Sequence, residues 1–238
     1  MKFVLLPQTD VFQGTAYRGM PQFPERLVEF LGDLAPRSLQ LAGSPELLCV
    51  VDLQQCRSVA LAASVDSPAS VADETLQLVR GLAEAGVVFV GGFHSPLERL
   101  CLDQLAAAGW PAIVCLGRTL SRLRIPNAWL EPLREGKLVL VSACGPSQKR
   151  ATKDSVRMRN DCVLALADNF VIPHASVGGK TEALCREALK AGKGVWTLNH
   201  PSSECLMRLG AMLAMKGKIT EILQSARKSR AASSHLGD

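Results

Sequence analysis

Four short segments combine small hydroxyl residues, glycines and basic residues in a way suited to holding an anion. They are Ala63-Ser64-Val65-Asp66-Ser67, Gly91-Gly92-Phe93-His94-Ser95, Ser142-Ala143-Cys144-Gly145-Pro146-Ser147 and Ser176-Val177-Gly178-Gly179-Lys180-Thr181. Where such a turn opens a helix, free backbone N–H groups and the positive end of the helix dipole together make a phosphate cradle. In the second segment the paired glycines let backbone approach a ligand, and Ser95 is placed to cap the next helix. The third feeds residues 148–160, where Lys149, Arg150, Lys153, Arg157 and Arg159 stand against the single acid Asp154, with Asn160 following. The fourth opens a helix with Lys180 at its mouth and Thr181 beside it. The candidate phosphate-facing residues are therefore Ser64, Gly91, Gly92, His94, Ser95, Lys153, Arg157, Arg159, Asn160, Gly178, Gly179, Lys180 and Thr181.

Other chemistries find less support. Gly179-Lys180-Thr181 has the end of a Walker sequence, but the glycine required five residues earlier is His174, and no G-x-G-x-x-G occurs. A P-loop enzyme and a dinucleotide oxidoreductase are disfavoured. The eight cysteines (49, 56, 101, 115, 144, 162, 185 and 205) form no C-x-x-C pair and mostly sit in apolar periodic segments. They read as buried thiols in a reducing compartment. Histidines 94, 174, 200 and 235 show no ligand spacing, so no metal site and no cofactor are expected. His94 beside Glu98 is a candidate general base, but reads better as a histidine on the rim of a ligand loop. No Ser-His-Asp or Cys-His set assembles from the sequence.

The elements that must position these loops are legible from periodicity. Continuously apolar runs at Lys2–Leu6, Leu48–Val51, Ser58–Ala63, Val87–Val90, Ala112–Leu116, Leu138–Ser142, Asn169–Ile172 and Gly194–Leu198 fit strands covered on both faces of a parallel sheet. Helices fall between them. Ser67-Pro68 offers an N-cap and a first-turn proline, followed by a stripe of Ala72, Leu76, Val79 and Ala83. Ser95-Pro96-Leu97-Glu98 has the form of a capping box, and the 178–191 segment stops at Gly192. Repeated βα units predict an α/β fold, a Rossmann-like three-layer sandwich on a mostly parallel, doubly wound sheet, with ligands at the strand carboxyl ends.

The chain has 238 residues, 47% of them hydrophobic and 21% charged. That is enough to bury a core without disulfide or metal staples. No apolar run approaches a membrane span, and the apolar stretch after Lys2 is too short for a signal peptide, so a cytoplasmic globular protein is expected. The formal net charge of +5 is uneven. Residues 148–160 carry +4, and the segment from Arg208 onward, with Lys216, Lys218, Arg227, Lys228 and Arg230, carries another +4. Two basic segments on a mildly acidic body point to a polyanionic partner. Gln8–Phe23 reads as loop, Pro24–Leu34 as a short helix and residues 229–238 as disordered. The expected organisation is a divergent N-terminal segment (1–57) packing on the sheet, a Rossmann domain (58–212), and a basic C-terminal helix with a tail (213–238).

From about residue 58 to 200 the order of motifs resembles the bacterial DNA-processing protein A (DprA/Smf) family. Val59–Ser64 followed by Ser70 is similar to its first strand and Gly-Ser-Arg turn. Val90–Glu98 stands in place of its Ser-Gly-x-Ala-x-Gly-Ile-Asp loop. Leu116-Gly117 and Pro126-Asn127 follow in order, and Arg157-Met158-Arg159-Asn160 leading into Cys162–Ala167 resembles its Arg-Asn-Arg-Ile-Ile-Ala helix start. Val177–Lys193 followed by Val195 is similar to the segment with Ser-Gly-Ser and the helix ending Gly-Arg-x-Val. The sequence departs from the pattern where the turn arginine falls at Val65 and the second-loop arginine at Ser95, with Pro96 at the next glycine. Ser-Gly-Ser is reduced to Gly179-Lys180-Thr181, and no winged-helix domain is expected after the Rossmann domain.

The resemblance implies non-catalytic binding of single-stranded DNA, protection of incoming DNA and loading of the recombinase RecA in transformation, and a homodimer. It places Ser64, Gly91, Gly92, Arg159, Asn160 and Gly179 in the phosphate-facing pocket. Two further readings stay open. One is a sensor that binds a nucleotide-like anion without turnover. The other is a phosphoribohydrolase like the Lonely-Guy enzymes, whose Pro-Gly-Gly-x-Gly-Thr-x-x-Glu signature Gly178–Glu182 resembles in part. The sequence favours the DNA reading, although one tyrosine and three tryptophans offer few stacking platforms.

Overall fold

The structure, a computed structural model, describes residues 57–120, 123–145, 147–214 and 222, together with the backbone of residues 3–5 and 40–42. The expected strand at Leu48–Val51, the loop Gln8–Phe23, the helix Pro24–Leu34 and nearly all of the basic C-terminal helix and tail lie outside the described residues.

Ten strands are seen among the described residues: β1 (Phe3–Leu5), β2 (Gln40–Ala42), β3 (Arg57–Leu61), β4 (Val87–Gly91), β5 (Ala112–Cys115), β6 (Arg124–Pro126), β7 (Leu138–Ser142), β8 (Asn169–Val171), β9 (Gly194–Thr197) and β10 (Met212–Leu213). Eight of them form one sheet in the order β10-β9-β8-β3-β4-β5-β7-β2. Val59 stands opposite Asn169, Ala112 opposite Leu138, Asn169 opposite Gly194 and Met212 opposite Trp196, all in parallel pairs. β2 runs antiparallel to its neighbour, β7. Helices lie on both sides, so the fold is the Rossmann-like, mostly parallel α/β arrangement that the alternation of elements predicts. Every residue of β4, β5, β7 and β8 is buried, as their unbroken apolar character requires of strands covered on both faces.

Two local expectations need correction. The strand after Lys2 forms, but as β1 it pairs antiparallel with β6 in a separate two-stranded ribbon rather than joining the parallel sheet. Ser67 does not cap a helix. Its hydroxyl turns back to the Ser64 carbonyl at 2.6 Å, and a turn of 3₁₀ helix (Ala69–Val71) leads into α1 (Ala72–Glu84) with no side-chain cap. The buried stripe of α1 is Thr75, Val79, Leu82 and Ala83. The remaining helices are α2 (Pro96–Ala107), α3 (Leu130–Arg134), α4 (Lys153–Leu166), α5 (Lys180–Lys190) and α6 (Glu204–Leu209). Gly192, two residues beyond α5, takes the left-handed φ of 70° expected of a C′ glycine.

The chain divides into two compact units. The first contains Met1–Cys56, Val90–Gly92 and Leu105–Leu166, and its described core holds Ile113, Val139, Leu140, Val141 and Leu166. The second contains Arg57–Phe89, Phe93–Gln104 and Ala167–Asp238, with Val59, Leu61, Leu82, Phe170, Val195 and Leu206 buried. At the amino ends of β3 and β8 the second unit carries a buried carboxylate. Asp168 Oδ2 accepts the Ser58 N–H at 2.9 Å and the Ser58 hydroxyl at 2.8 Å, while the Asp168 N–H donates to the Ser58 carbonyl at 3.0 Å. Burying a charge costs little only when its acceptor sites are filled in this way. Asp168→Ala leaves the N–H and hydroxyl of Ser58 buried without that acceptor. It is expected to lower stability by about 2–3 kcal/mol, read as a fall in the urea midpoint at unchanged slope, with Asp168→Asn losing less.

Candidate functional site

In the second unit, three loop segments gather at the carboxyl ends of β3 and β8 and the start of α2. Ser64 is the knot of the first. Its N–H donates to the His174 carbonyl at 3.1 Å, its Oγ accepts the Ser176 N–H at 2.9 Å, and its carbonyl accepts from both N–H and hydroxyl of Ser67. Ser64 thereby clamps the β3 loop to the β8 loop. The Ser176 hydroxyl donates to Asp66 Oδ1 at 2.5 Å, and this bond is the main reason the Asp66 carboxyl is held below its ordinary value. His174, buried beneath, has Nε2 4.0 Å from the same oxygen, and its Nδ1 is buried without a hydrogen-bond partner.

The start of α2 is a capping box. Ser95 Oγ accepts the Glu98 N–H at 3.2 Å, and Glu98 Oε2 accepts the N–H groups of Ser95 at 3.3 Å and His94 at 2.5 Å. The other oxygen of Glu98 accepts the Ala63 N–H at 2.7 Å, so one buried carboxylate collects three N–H groups from the end of β3 and the mouth of α2. Phe93, with its side chain buried, holds a left-handed φ of 50°, an uncommon conformation for a residue with a Cβ. The expected strand Val87–Val90 runs one residue further, so Gly91 is the last residue of β4, where it is buried, and Gly92 just after it is half-buried; the His94 side chain is exposed and that of Ser95 buried.

At the β8–α5 turn, Gly178 is exposed with φ 70°, and Gly179 follows as the N-cap of α5. A Cβ on Gly179 would lie 2.8 Å from the Ser176 carbonyl oxygen, so the turn closes only around glycine. The Gly178 N–H donates to Glu182 Oε2 at 2.7 Å, and Arg186 pairs with Oε1 at 2.6 Å. Arg186 and the Gly178 N–H hold the Glu182 carboxyl below its ordinary value, in that order. Glu182 is thus the helix N-terminal carboxylate that its position suggests. Lys180 is exposed and Thr181 half-buried.

The first unit carries the basic residues. Helix α4 begins with a reciprocal pair, the Thr152 N–H on Ser155 Oγ at 2.8 Å and the Ser155 N–H on Thr152 Oγ1 at 3.2 Å. Lys153 and Arg157 project from it into solvent. Arg159 and Asn160 are half-buried, and the guanidinium folds onto its neighbour, with Nε and Nη2 donating to Asn160 Oδ1 at 3.2 and 2.9 Å. The amino end of α4 comes so close to the residue after Leu116 that a Cβ on Gly117 would meet the Ser155 carbonyl at 3.1 Å.

One residue joins this group that sequence reading passed over. Arg118 is exposed, and its carbonyl accepts the Ser142 hydroxyl at 2.7 Å, while the next residue, Thr119, donates its N–H to the Gln148 carbonyl at 2.8 Å. These bonds bring Arg118 to the loop that carries Lys149 and Arg150, both exposed. Arg118, Arg122 and Arg124 stand within seven residues with no acid among them, a short basic run after a strand's carboxyl end that was the available clue.

The buried thiols among the described residues are poor candidates for chemistry. Burial pushes Cys101 and Cys115 up to about 12, Cys185 up to about 11, and Cys162 well above its ordinary value. A thiol so raised is a poor nucleophile at neutral pH. Among the described residues no group of three or more His, Cys, Asp or Glu is placed to hold a metal ion, and no helix is long and apolar enough to cross a membrane.

No protein-family profile matches the sequence. No curated protein matches it either. Solved structures do resemble it. DNA processing protein A from Streptococcus pneumoniae superposes with a TM-score of 0.68 at 20% identity, over 89% of this chain and 73% of that one. DNA processing protein A from Helicobacter pylori, solved for its single-stranded DNA binding mode, gives 0.66 at 19% identity over 94% of this chain and 97% of that one. A molybdenum cofactor binding protein from Rippkaea orientalis gives 0.50 at 18% identity over 71% and 96%. The chain therefore carries a DprA-like fold.

Proposed function

We propose that the protein binds single-stranded DNA without turning it over, gripping phosphates with basic side chains at the strand carboxyl ends. The observation that carries this reading is in the first unit: the Thr119–Gln148 bond brings Arg118 to the loop of Lys149 and Arg150, and α4, which starts against Gly117, carries Lys153 and Arg157, all five exposed. Side-chain cations on a flexible reach suit a polymer whose charges repeat, and they need no one fixed phosphate position. The DNA processing protein A structures share this fold, and the one from H. pylori was determined for its single-stranded DNA binding mode. A role in DNA uptake or recombination, with a recombinase as partner and a homodimer as the working form, extends the same reading. The thirteen residues singled out in the sequence then divide by task. In the first unit Lys153, Arg157 and Arg159 meet phosphates, Asn160 supports Arg159, and Gly91 and Gly92 end β4; in the second unit Ser64, His94, Ser95, Gly178, Gly179 and Thr181 shape that unit's own loops, and Lys180 adds a cation there.

A mononucleotide sensor has less support. An isolated phosphate in this class of fold is held by backbone N–H groups at helix mouths. Here those of Ala63, His94, Ser95 and Gly178 are committed to Glu98 and Glu182.

Fluorescence anisotropy of a labelled single strand across a salt series tests the proposal. Binding should weaken along a straight log–log line whose slope changes by about 0.7 for each phosphate contact removed. The Arg157→Ala/Arg159→Ala double variant should flatten that line by about 1.4, and Arg118→Ala by about 0.7. No binding at low salt, or variants with an unchanged slope, would refute the reading. Gly117→Ala gives a test through position rather than charge. Its Cβ forces α4 away from β5, so stability should fall by about 1–3 kcal/mol in urea titration, with weaker DNA binding although no basic residue is lost.

A further inference from the structure

Of the four large apolar side chains exposed among the described residues, two stand at the carboxyl ends of neighbouring strands in the second unit. Val65 follows β3 and is 74% exposed; Val177 follows β8 and is 83% exposed. Their loops are tied by the Ser64 N–H on the His174 carbonyl, the Ser176 N–H on Ser64 Oγ and the Ser176 hydroxyl on Asp66. Two stiff β-branched side chains are thereby displayed to water on anchored backbone, where the core makes no use of them. Asp66, next to Val65, is itself two-thirds exposed. One oxygen is occupied by Ser176, with the His174 ring behind it, and a carboxylate has acceptor positions to spare.

A carboxylate repels phosphate. A DNA strand that meets these loop tips must turn its bases, not its backbone, toward Asp66. An unstacked base has two apolar faces and a polar edge, which matches an apolar pair beside an acceptor. Guanine presents two parallel donors, N1–H and the 2-amino group, to which both oxygens of a carboxylate can pair. Adenine and cytosine set an acceptor beside their amino group, and thymine flanks its N3–H with two carbonyls, so each brings a lone pair against the carboxylate. The same edge is hidden in a duplex. Lys180, exposed at the start of α5, supplies a cation for a phosphate next to such a base.

We propose that Val65, Asp66 and Val177 form a base-reading subsite that takes an unpaired guanine, its face on the valines and its N1–H and 2-amino group on the Asp66 carboxylate. The proposal rests on the single-strand reading and adds a base preference to it.

The test uses the full chain and three labelled strands. One is a short oligothymidylate, and the others replace its central thymidine by deoxyguanosine or by deoxyinosine, which lacks the 2-amino group. The guanine strand should bind roughly tenfold more tightly than the thymidine strand, with the inosine strand between them. Asp66→Asn should bring all three together. Val65→Ser/Val177→Ser should weaken all three by a similar factor without altering the salt slope, because no phosphate contact is removed. Equal affinity of the unmodified protein for the three strands overturns the subsite and leaves the single-strand reading intact. So does a guanine preference that survives in Asp66→Asn, or an unchanged affinity in the valine variant. Failure of every strand to bind overturns both.

Discussion

A parallel strand buried on both faces brings its last polar backbone groups to the rim of the sheet with no neighbouring turn to receive them. Meeting that demand is the constraint on which the second unit depends. Glu98 receives the N–H after β3 together with two at the mouth of α2. Ser64 receives and donates across to the β8 loop. At the other end of the same strands Asp168 does the corresponding work for Ser58. Each of these side chains serves two segments at once, so strand ends, helix starts and loop paths are fixed by a few shared bonds. Net gains of about 1 kcal/mol per bond are modest, but leaving such groups bare would cost more.

The same economy changes what the rim can bind. Carboxylates that satisfy helix mouths also occupy positions where a nucleotide phosphate is commonly held. In the second unit the N–H groups of Ala63, His94, Ser95 and Gly178 are turned toward the protein's own acids, and in the proposed function recognition of an anion falls to side chains. Those lie on α4 and the loops before it, and they are placed by contacts rather than by charge. Gly117 lets α4 approach, the Thr152–Ser155 pair fixes where the helix begins, and Thr119 draws in the segment bearing Arg118. A cationic surface built this way tolerates variation in any one basic residue, because its strength is summed over several weak, screened terms.

Much of this was legible in the residues themselves. Unbroken apolar runs such as Val87–Val90 and Leu138–Ser142 announce doubly covered strands because nothing else explains four or five successive buried residues. Ser95 and Glu98, spaced for reciprocal bonding, announce the start of α2. Three strands gave no such signal. β2 and β6 have three residues each and β10 two, too short for any period, and their pairing is decided by neighbours distant in sequence. Ser67-Pro68 carried one local signal that lost to another, since the Ser64 carbonyl three residues earlier took the hydroxyl that would have capped a helix. In the candidate site, the glycines and the basic run were visible. The partners of the loop N–H groups were not, because Glu98 and Glu182 look like ordinary helix acids until the strand ends are brought to them.

The buried cysteines have one more consequence. Cys115, Cys144 and Cys162 lie in the first unit, Cys101 and Cys185 in the second, and all are closed to solvent. With their protons held so firmly, an alkylating reagent meets them only when the surrounding structure opens. The natural sequence thus contains a chemical clock in each unit, and the rate at which each set is labelled reports how often that unit opens on its own.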